Sequence, residues 1–179
     1  MGLWTTSLLE TVGEYLSAHE RWTRPVRPDG PTVRKTGAVH LAVFVPPFLE
    51  FLLDGRKTIE SRFSVNRCPP YERVEAGDLV LVKQSGGPVV AMAEVSRVWY
   101  YHLDETARDF ISAHFSTQLC IEGPDFWDAK AGSCYATLMQ FSSVEKIDPI
   151  PCLKRDRRGW VVLNPGRNQE SLFAKINGV

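Results

Sequence analysis

The sequence predicts an α+β domain in which a small mixed or antiparallel, barrel-like sheet is covered by a few short helices. Three observations support this fold class. Apolar runs of strand length outnumber the amphipathic helical segments. Glycine and proline turns separate the runs, and strands do not alternate with helices behind phosphate-binding glycines. A chain of 179 residues with 44% hydrophobic and 23% charged residues is long enough for one domain with a core.

Residues 1–37 are expected to form an arm in front of a main domain of residues 38–179. Ser7 and Glu10 match a capping box, which predicts a helix over residues 7–22. Its apolar stripe consists of Leu8, Leu9, Val12, Tyr15, Leu16 and His19. The stripe should pack on the main domain or on a second subunit, and its own domain is favoured. Residues 23–37 contain three prolines and predict a linker.

The main domain is predicted to start with a buried strand over residues 40–45, which Pro46 and Pro47 end. A short helix over residues 48–54 follows, and Gly55 supplies the left-handed conformation that often ends a helix. Further strands are predicted over residues 58–65, 79–83, 89–101, 134–141 and 160–163. Asp104 is expected to cap a helix over residues 104–115, and residues 116–132 are expected to be a loop.

The charge balance and the spacing of the cysteines argue against several classes of protein and of binding site. Lysine plus arginine equals aspartate plus glutamate, at 21 each, which argues against a protein that coats long nucleic acids but permits a local basic groove. The 4 cysteines and 4 histidines lack metal-ligand spacing, so we expect free thiols, no metal and no other cofactor. The sequence shows neither a signal peptide nor an apolar run of membrane-spanning length, which predicts a soluble, cytoplasmic protein without a membrane partner.

The most informative stretch lies where the short helix meets the next strand. Lys57 is in the turn, and alternation puts Glu60 and Arg62 on one face of the strand, opposite Ile59 and Phe63. The cluster is either a salt-bridged network or a site that binds an anion. Lys57 could bind a phosphate while protonated, or act as a general base if it loses its proton. Arg62 suits a phosphate or carboxylate because its planar fork bonds two oxygens at once.

Residues 55–62, Gly-Arg-Lys-Thr-Ile-Glu-Ser-Arg, resemble the G-x-K-[ST]-x-E-x-R signature of the ASCH domain (activating signal cointegrator homology). The resemblance extends over about residues 39–150. It implies a PUA-like β-barrel, a fold related to RNA-binding modules, with the signature along a cleft for a nucleotide-like ligand. The positions that match the signature are Gly55, Lys57, Thr58, Glu60 and Arg62.

Three functions remain open at this point. The first is binding of RNA, a short single-stranded nucleic acid or a modified nucleoside through Gly55, Lys57, Thr58 and Arg62. Lys83 and Trp127 are further candidate contacts, because one ends a strand beside a glycine hairpin and the other lies in a polar loop. The second is a metal-independent hydrolase of RNA or acylated nucleosides. In it Lys57 would be the base, Glu60 its partner and Glu94 a further acidic candidate. The third is an interaction module whose N-terminal helix binds a protein or a second copy.

Overall fold

The computed structural model describes residues 3–18 and 37–166. The strands are β1 (Val39–Phe44), β2 (Ile59–Ser64), β3 (Leu79–Gln84), β4 (Val89–His102), β5 (Tyr135–Ile150) and β6 (Trp160–Asn164). The helices are α1 (Leu3–Ala18), α2 (Phe48–Leu53), α3 (Glu105–Leu119) and α4 (Asp125–Asp128). The strands form one six-stranded sheet in the order β2-β5-β4-β3-β1-β6. β1 and β3 are parallel and the other neighbours are antiparallel, which confirms the predicted mixed α+β fold.

The sheet curls into a half-barrel, so that its two edges approach each other. Register irregularities between Glu94 and Arg97 bend the two longest strands, β4 and β5. The approach of the edges is visible at Arg62 of β2. Its guanidinium donates to the carbonyls of Val43 in β1 and of Gly159, the residue before β6. β1 and β6 therefore lie opposite β2 across the opening of the half-barrel.

Three apolar clusters hold the helices on the sheet. The first fills the inside of the half-barrel and includes Leu49 and Leu52 of α2. The second lies on the outer face and includes Leu8 and Val12 of α1. The third, also on the outer face, includes Ile111 of α3. Each of these helices buries one apolar stripe, which is the usual reason why an amphipathic helix is stable on a sheet.

A buried polar network fixes the start of β1 against β3 and β6. Asp78 accepts hydrogen bonds from the backbone N–H groups of Ala38 and Glu75, both at 2.7 Å, and from His40 Nε2 at 2.9 Å. Trp160 Nε1 donates to His40 Nδ1 at 3.2 Å. Because an indole N–H only donates, His40 must accept at Nδ1 and carry its proton on Nε2. The network thereby holds the Trp160 ring inside the half-barrel.

The N-terminal helix differs from its prediction at its start. It begins at Leu3, so Ser7 lies inside α1 and does not cap it. Trp4 packs on the second cluster, and burial of this additional side chain stabilises a turn in front of the predicted cap. The docking of α1 on its own domain is confirmed, because Leu8 and Val12 are buried there. The predicted end at residue 22, His19 and the linker up to residue 36 lie outside the described residues.

The second half of the chain contains more regular structure than predicted. Asp104 is the N-cap of α3, as expected, and accepts from the Ala107 backbone N–H at 2.7 Å. The helix continues to Leu119 because this side chain is fully buried in the third cluster. Part of the predicted loop forms α4, and β5 runs uninterrupted to Ile150. None of the helices in the described ranges is long and apolar enough to cross a membrane.

The contact between Tyr100 on β4 and the Val74 carbonyl can be tested through its dependence on pH. Burial raises the pKa of Tyr100 to about 12, and its hydroxyl donates to the Val74 carbonyl. The ordinary tyrosine pKa is about 10, so the unfolded chain loses this proton first as the pH rises. The stability difference between wild type and Tyr100→Phe should be constant below about pH 10 and shrink from there through pH 12. Urea unfolding at pH 8 to 12 measures it, and a difference that does not change with pH would contradict the packing.

Candidate functional site

A cleft of about 250 Å³ opens where the two edges of the sheet approach each other. Four of its lining side chains are phenylalanines and three are cations. The lining residues are Val43, Phe44, Val45, Phe48, Lys57, Glu60, Ser61, Arg62, Phe63, Phe126 and Lys130. The cleft therefore combines an aromatic wall with the charged cluster that the sequence singled out.

Lys57 reaches the cleft because the chain reverses directly after α2. Gly55 has a φ of +80°, a conformation in which a side chain would be strained, and its N–H donates to the Leu52 carbonyl at 3.2 Å. The Lys57 N–H then donates to the Phe51 carbonyl at 2.7 Å, which turns the lysine side chain inward. The Lys57 side chain is 3% exposed, and its ammonium donates to the Leu119 carbonyl at 2.9 Å.

Glu60 is a buried carboxylate between two cations. One oxygen lies 3.4 Å from Lys57 Nζ, and the other lies 2.8 Å from Arg62 Nε. The side chain is 6% exposed, so an unpaired charge in this position would be costly. Glu60 and Arg62 meet because residues two apart in a strand project from the same face. The predicted alternation of β2 is thus confirmed, because Ile59 and Phe63 pack on the third cluster. Phe63, one residue before the end of the strand, also reaches the rim of the cleft.

Arg62 connects the two edges of the half-barrel. Nη1 donates to the Gly159 carbonyl at 3.1 Å and Nη2 donates to the Val43 carbonyl at 3.0 Å. The guanidinium carbon lies 5.1 Å from the Phe44 ring centroid and 5.5 Å from that of Trp160. The approach to residue 159 is close, since a Cβ there would lie 3.1 Å from Nη1. Arg62 therefore has a structural role whether or not a ligand is bound.

Both sequence-based interpretations of the cluster describe part of this geometry. Lys57, Glu60 and Arg62 do form a salt-bridged network. They also line a cleft, in which two cations face one carboxylate and leave an excess of positive charge. Such a site favours a ligand that carries negative charge or hydrogen-bond acceptors.

Five candidate residues lie away from this cleft. Gly55 and Thr58 line a second groove beside α2, which shares Lys57 with the cleft, and Thr58 is exposed. Lys83 is buried in another pocket at the β3–β4 hairpin. Glu94 lies on β4 and is not among the side chains around the cleft. Trp127 is half-buried, and its ring packs edge-on against Phe63 with centroids 5.9 Å apart. Roles for these residues in ligand binding stay predictions.

The sequence-based prediction missed Phe126, which lines the cleft where Trp127 was expected. Both belong to α4, where successive side chains point about 100° apart, so only one of two neighbouring rings can face the cleft. The prediction of residues 116–132 as a loop contains no information about this rotation. Lys130 also lines the cleft, and its ammonium lies 5.9 Å from the Phe126 ring centroid. The sequence signal that could have indicated Phe126 and Lys130 as cleft residues is the aromatic and basic composition of residues 126–130.

The described ranges contain no group of three or more histidine, cysteine, aspartate or glutamate side chains that could hold a metal ion. Their cysteines are Cys68, Cys120, Cys134 and Cys152, and all are free thiols. The side chains that line the cleft offer ammonium, guanidinium, carboxylate, hydroxyl and aromatic groups.

No family model matches the sequence, and neither does any curated protein. The chain is similar to the crystal structure of ASCH from Zymomonas mobilis, with a TM-score of 0.57, 14% identity and coverage of 80% of this chain and 96% of that chain. A point mutant of the Zymomonas protein matches with a TM-score of 0.57, 13% identity and coverage of 78% and 98%. At such identities the likeness concerns the fold. The chain has an ASCH domain fold, a PUA-like half-barrel.

The bridging role of Arg62 predicts a large effect on stability. Arg62→Ala removes the link between the sheet edges and leaves Glu60 paired with Lys57 alone. Loss of one partner of a buried ion pair should lower the free energy of unfolding by about 3 kcal/mol. Urea denaturation followed by tryptophan fluorescence measures this change. Arg67→Ala is the matched control, because its ion pair with Glu72 is exposed and should contribute less than about 1 kcal/mol. Equal effects of the two variants would contradict the bridging role.

Proposed function

We propose that the protein binds RNA or a modified nucleotide by holding a single unstacked base in the cleft. The observation that carries this proposal is the combination of an aromatic wall with a cationic ion-pair network in one cavity. Proteins recognise single-stranded RNA by stacking splayed bases on aromatic side chains and by hydrogen bonds to the base edges. The cleft offers both kinds of contact.

The size of the cleft favours a single nucleotide. Sites for drug-sized ligands occupy roughly 300–1,000 Å³, and this cleft, at about 250 Å³, is smaller. It suits one base with its sugar and is too small for a duplex. The absence of net charge on the chain agrees with a short contact, because coating a long backbone requires a basic excess.

The cleft residues divide into two roles in this proposal. Phe126 and Phe48 form the surface on which the base stacks, and Lys130 beside Phe126 contacts the backbone phosphate. Lys57 and Arg62 hold the floor of the cleft in a fixed position through Glu60. A floor that is rigid before binding reduces the ordering cost of binding, which supports affinity for a small ligand.

The stacking role of Phe126 leads to a direct test. Base–aromatic stacking contributes about 1–3 kcal/mol per base, so Phe126→Ala should weaken RNA binding roughly 5- to 150-fold. The measurement is fluorescence anisotropy with a labelled single-stranded hexaribonucleotide at fixed salt. The matched control is Phe110→Ala, because Phe110 is an exposed phenylalanine on α3 that does not line the cleft.

The outcomes of this test are distinct. Weaker binding of Phe126→Ala with unchanged binding of Phe110→Ala supports the cleft as the binding site. Equal binding by wild type and both variants would show that the base does not occupy the cleft. No binding by wild type to the hexamer or to single nucleotides would reject the proposed function.

Hydrolysis of RNA or of acylated nucleosides is the alternative that the assay must separate from binding. A general base has to accept a proton. The ammonium of Lys57 instead donates to the Leu119 carbonyl and faces the Glu60 carboxylate, both of which suit its protonated form. These contacts support binding over catalysis. The interaction alternative is weakened, because the apolar stripe of α1 is buried on its own sheet.

We therefore expect no turnover of single-stranded RNA or of a panel of acylated nucleosides with a chelator present. Product formation is followed by chromatography for wild type and for Lys57→Met. Circular dichroism verifies that the variant is folded. Turnover by wild type that the folded variant lacks would make hydrolysis the function of the cleft.

A further inference from the structure

A second pocket lies beside the cleft, at the β3–β4 hairpin and the turn before β6. Its volume is about 340 Å³, and four of its lining side chains are basic while one is acidic. The lining residues are Val43, Lys83, Ser85, Gly86, Gly87, Cys152, Lys154, Asp156, Arg157, Arg158 and Gly159. We name it the basic pocket.

Lys83 is a buried cation whose described contacts are neutral. The residue is 5% exposed, and its ammonium donates to the carbonyls of Gln84 at 3.0 Å and Gly87 at 2.6 Å. Within the described ranges no carboxylate forms an ion pair with it. An ammonium has three N–H donors, so these two bonds leave one for another partner. Buried charges are normally paired, and a nearby anion would lower the cost of burying this one.

The carboxylate in the basic pocket is already engaged. Asp156 Oδ1 lies 2.8 Å from Lys154 Nζ. The Asp156 carboxylate also accepts two bonds from the Arg158 guanidinium, both at 3.0 Å, and one from the Arg158 backbone N–H at 2.9 Å. The bonds from Arg158 and from Lys154 lower the pKa of Asp156, so this carboxylate stays charged. The Lys154 side chain is only 3% exposed. The pocket thus contains four cations and one carboxylate, which pairs with Lys154 and Arg158, and it keeps an excess of positive charge.

The basic pocket adjoins the cleft through the backbone of two residues. Val43 lines both cavities. Gly159 lines the basic pocket, and its carbonyl accepts from Arg62 of the cleft. The Val43 N–H also donates to the Gly159 carbonyl at 2.9 Å, so the two backbones form a narrow divide between the cavities.

We propose that the basic pocket binds a backbone phosphate of the same RNA strand whose base occupies the cleft, an inference that rests on the proposed function. The remaining N–H groups of Lys83 and Lys154 and the guanidinium of Arg157 donate to the phosphate oxygens. The phosphate supplies the ion-pair partner that Lys83 lacks among the described residues. No atom lies within 4 Å of the place that a Cβ would take at Gly86, so the strand can approach the pocket over this glycine.

The experiment compares two arginines of the same turn. Arg157 lines the basic pocket and Arg155 does not, although both are exposed. Arg157→Gln and Arg155→Gln therefore remove the same charge from almost the same place. Binding of the single-stranded hexaribonucleotide is measured by anisotropy between 50 mM and 200 mM salt with the full chain.

Loss of one phosphate contact should reduce the slope of log K against log salt by about 0.7 and weaken binding roughly fivefold at 0.1 M salt. We expect these changes for Arg157→Gln and not for Arg155→Gln. Asp156→Asn removes the competing carboxylate and should strengthen binding. A hexamer with uncharged methylphosphonate linkages should bind wild type and Arg157→Gln equally, which separates loss of a phosphate contact from damage to the fold.

Failure of this inference is distinguishable from failure of the proposed function. If Phe126→Ala weakens binding while Arg157→Gln behaves like Arg155→Gln, the base site stands and the phosphate site is overturned. The phosphate site is also overturned if Arg157→Gln weakens binding of the uncharged hexamer as much as that of the charged one. If wild type does not bind the hexamer, both proposals fall.

Discussion

The structure depends on one buried carboxylate. Glu60 would be costly to bury alone, and it is stable because Lys57 and Arg62 neutralise it from both sides. The remaining donors of these cations bind carbonyls from distant parts of the chain, at the end of α3, in β1 and before β6. A single ionic network thereby links a covering helix to one edge of the sheet and that edge to the opposite one. The closure of the half-barrel and the shape of the cleft have the same physical origin.

In our proposal this origin lets Lys57, Glu60 and Arg62 combine a structural role with a functional one. The ion pairs and hydrogen bonds of Lys57, Glu60 and Arg62 are complete without a ligand, so these side chains are held in place before binding. A ligand that contacts them does not have to order them first. The affinity in our proposal comes mainly from the aromatic wall, above all Phe126, because stacking needs no rearrangement of the ion pairs. The charged residues then contribute position and an excess of positive potential. Within this network the Lys57 ammonium already donates to the Leu119 carbonyl and lies 3.4 Å from the Glu60 carboxylate.

Charge in this protein is segregated locally although the whole chain is neutral. Two cavities with excess positive charge lie on either side of the contact between Val43 and Gly159. A neutral protein attracts long nucleic acids weakly, so binding through these cavities would be confined to a short segment of strand. In the basic pocket Asp156 acts as an internal counter-ion for Lys154 and Arg158. It reduces their mutual repulsion when no phosphate is bound and limits the affinity when one is.

The sequence by itself determined the local features. Alternation placed Glu60 and Arg62 on one face of β2, Gly55 ended α2, and Asp104 capped α3, because each depends on residues only a few positions apart. The resemblance of residues 55–62 to a known signature also indicated the fold. The tertiary structure decided the partners of these residues. Arg62 meets a carbonyl 97 positions away and Lys57 one 62 positions away. The curl of the sheet creates these contacts, and it sums small bends over six strands that no local pattern specifies. The choice of Phe126 over Trp127 depends on the formation of α4, where the loop prediction expected no regular structure.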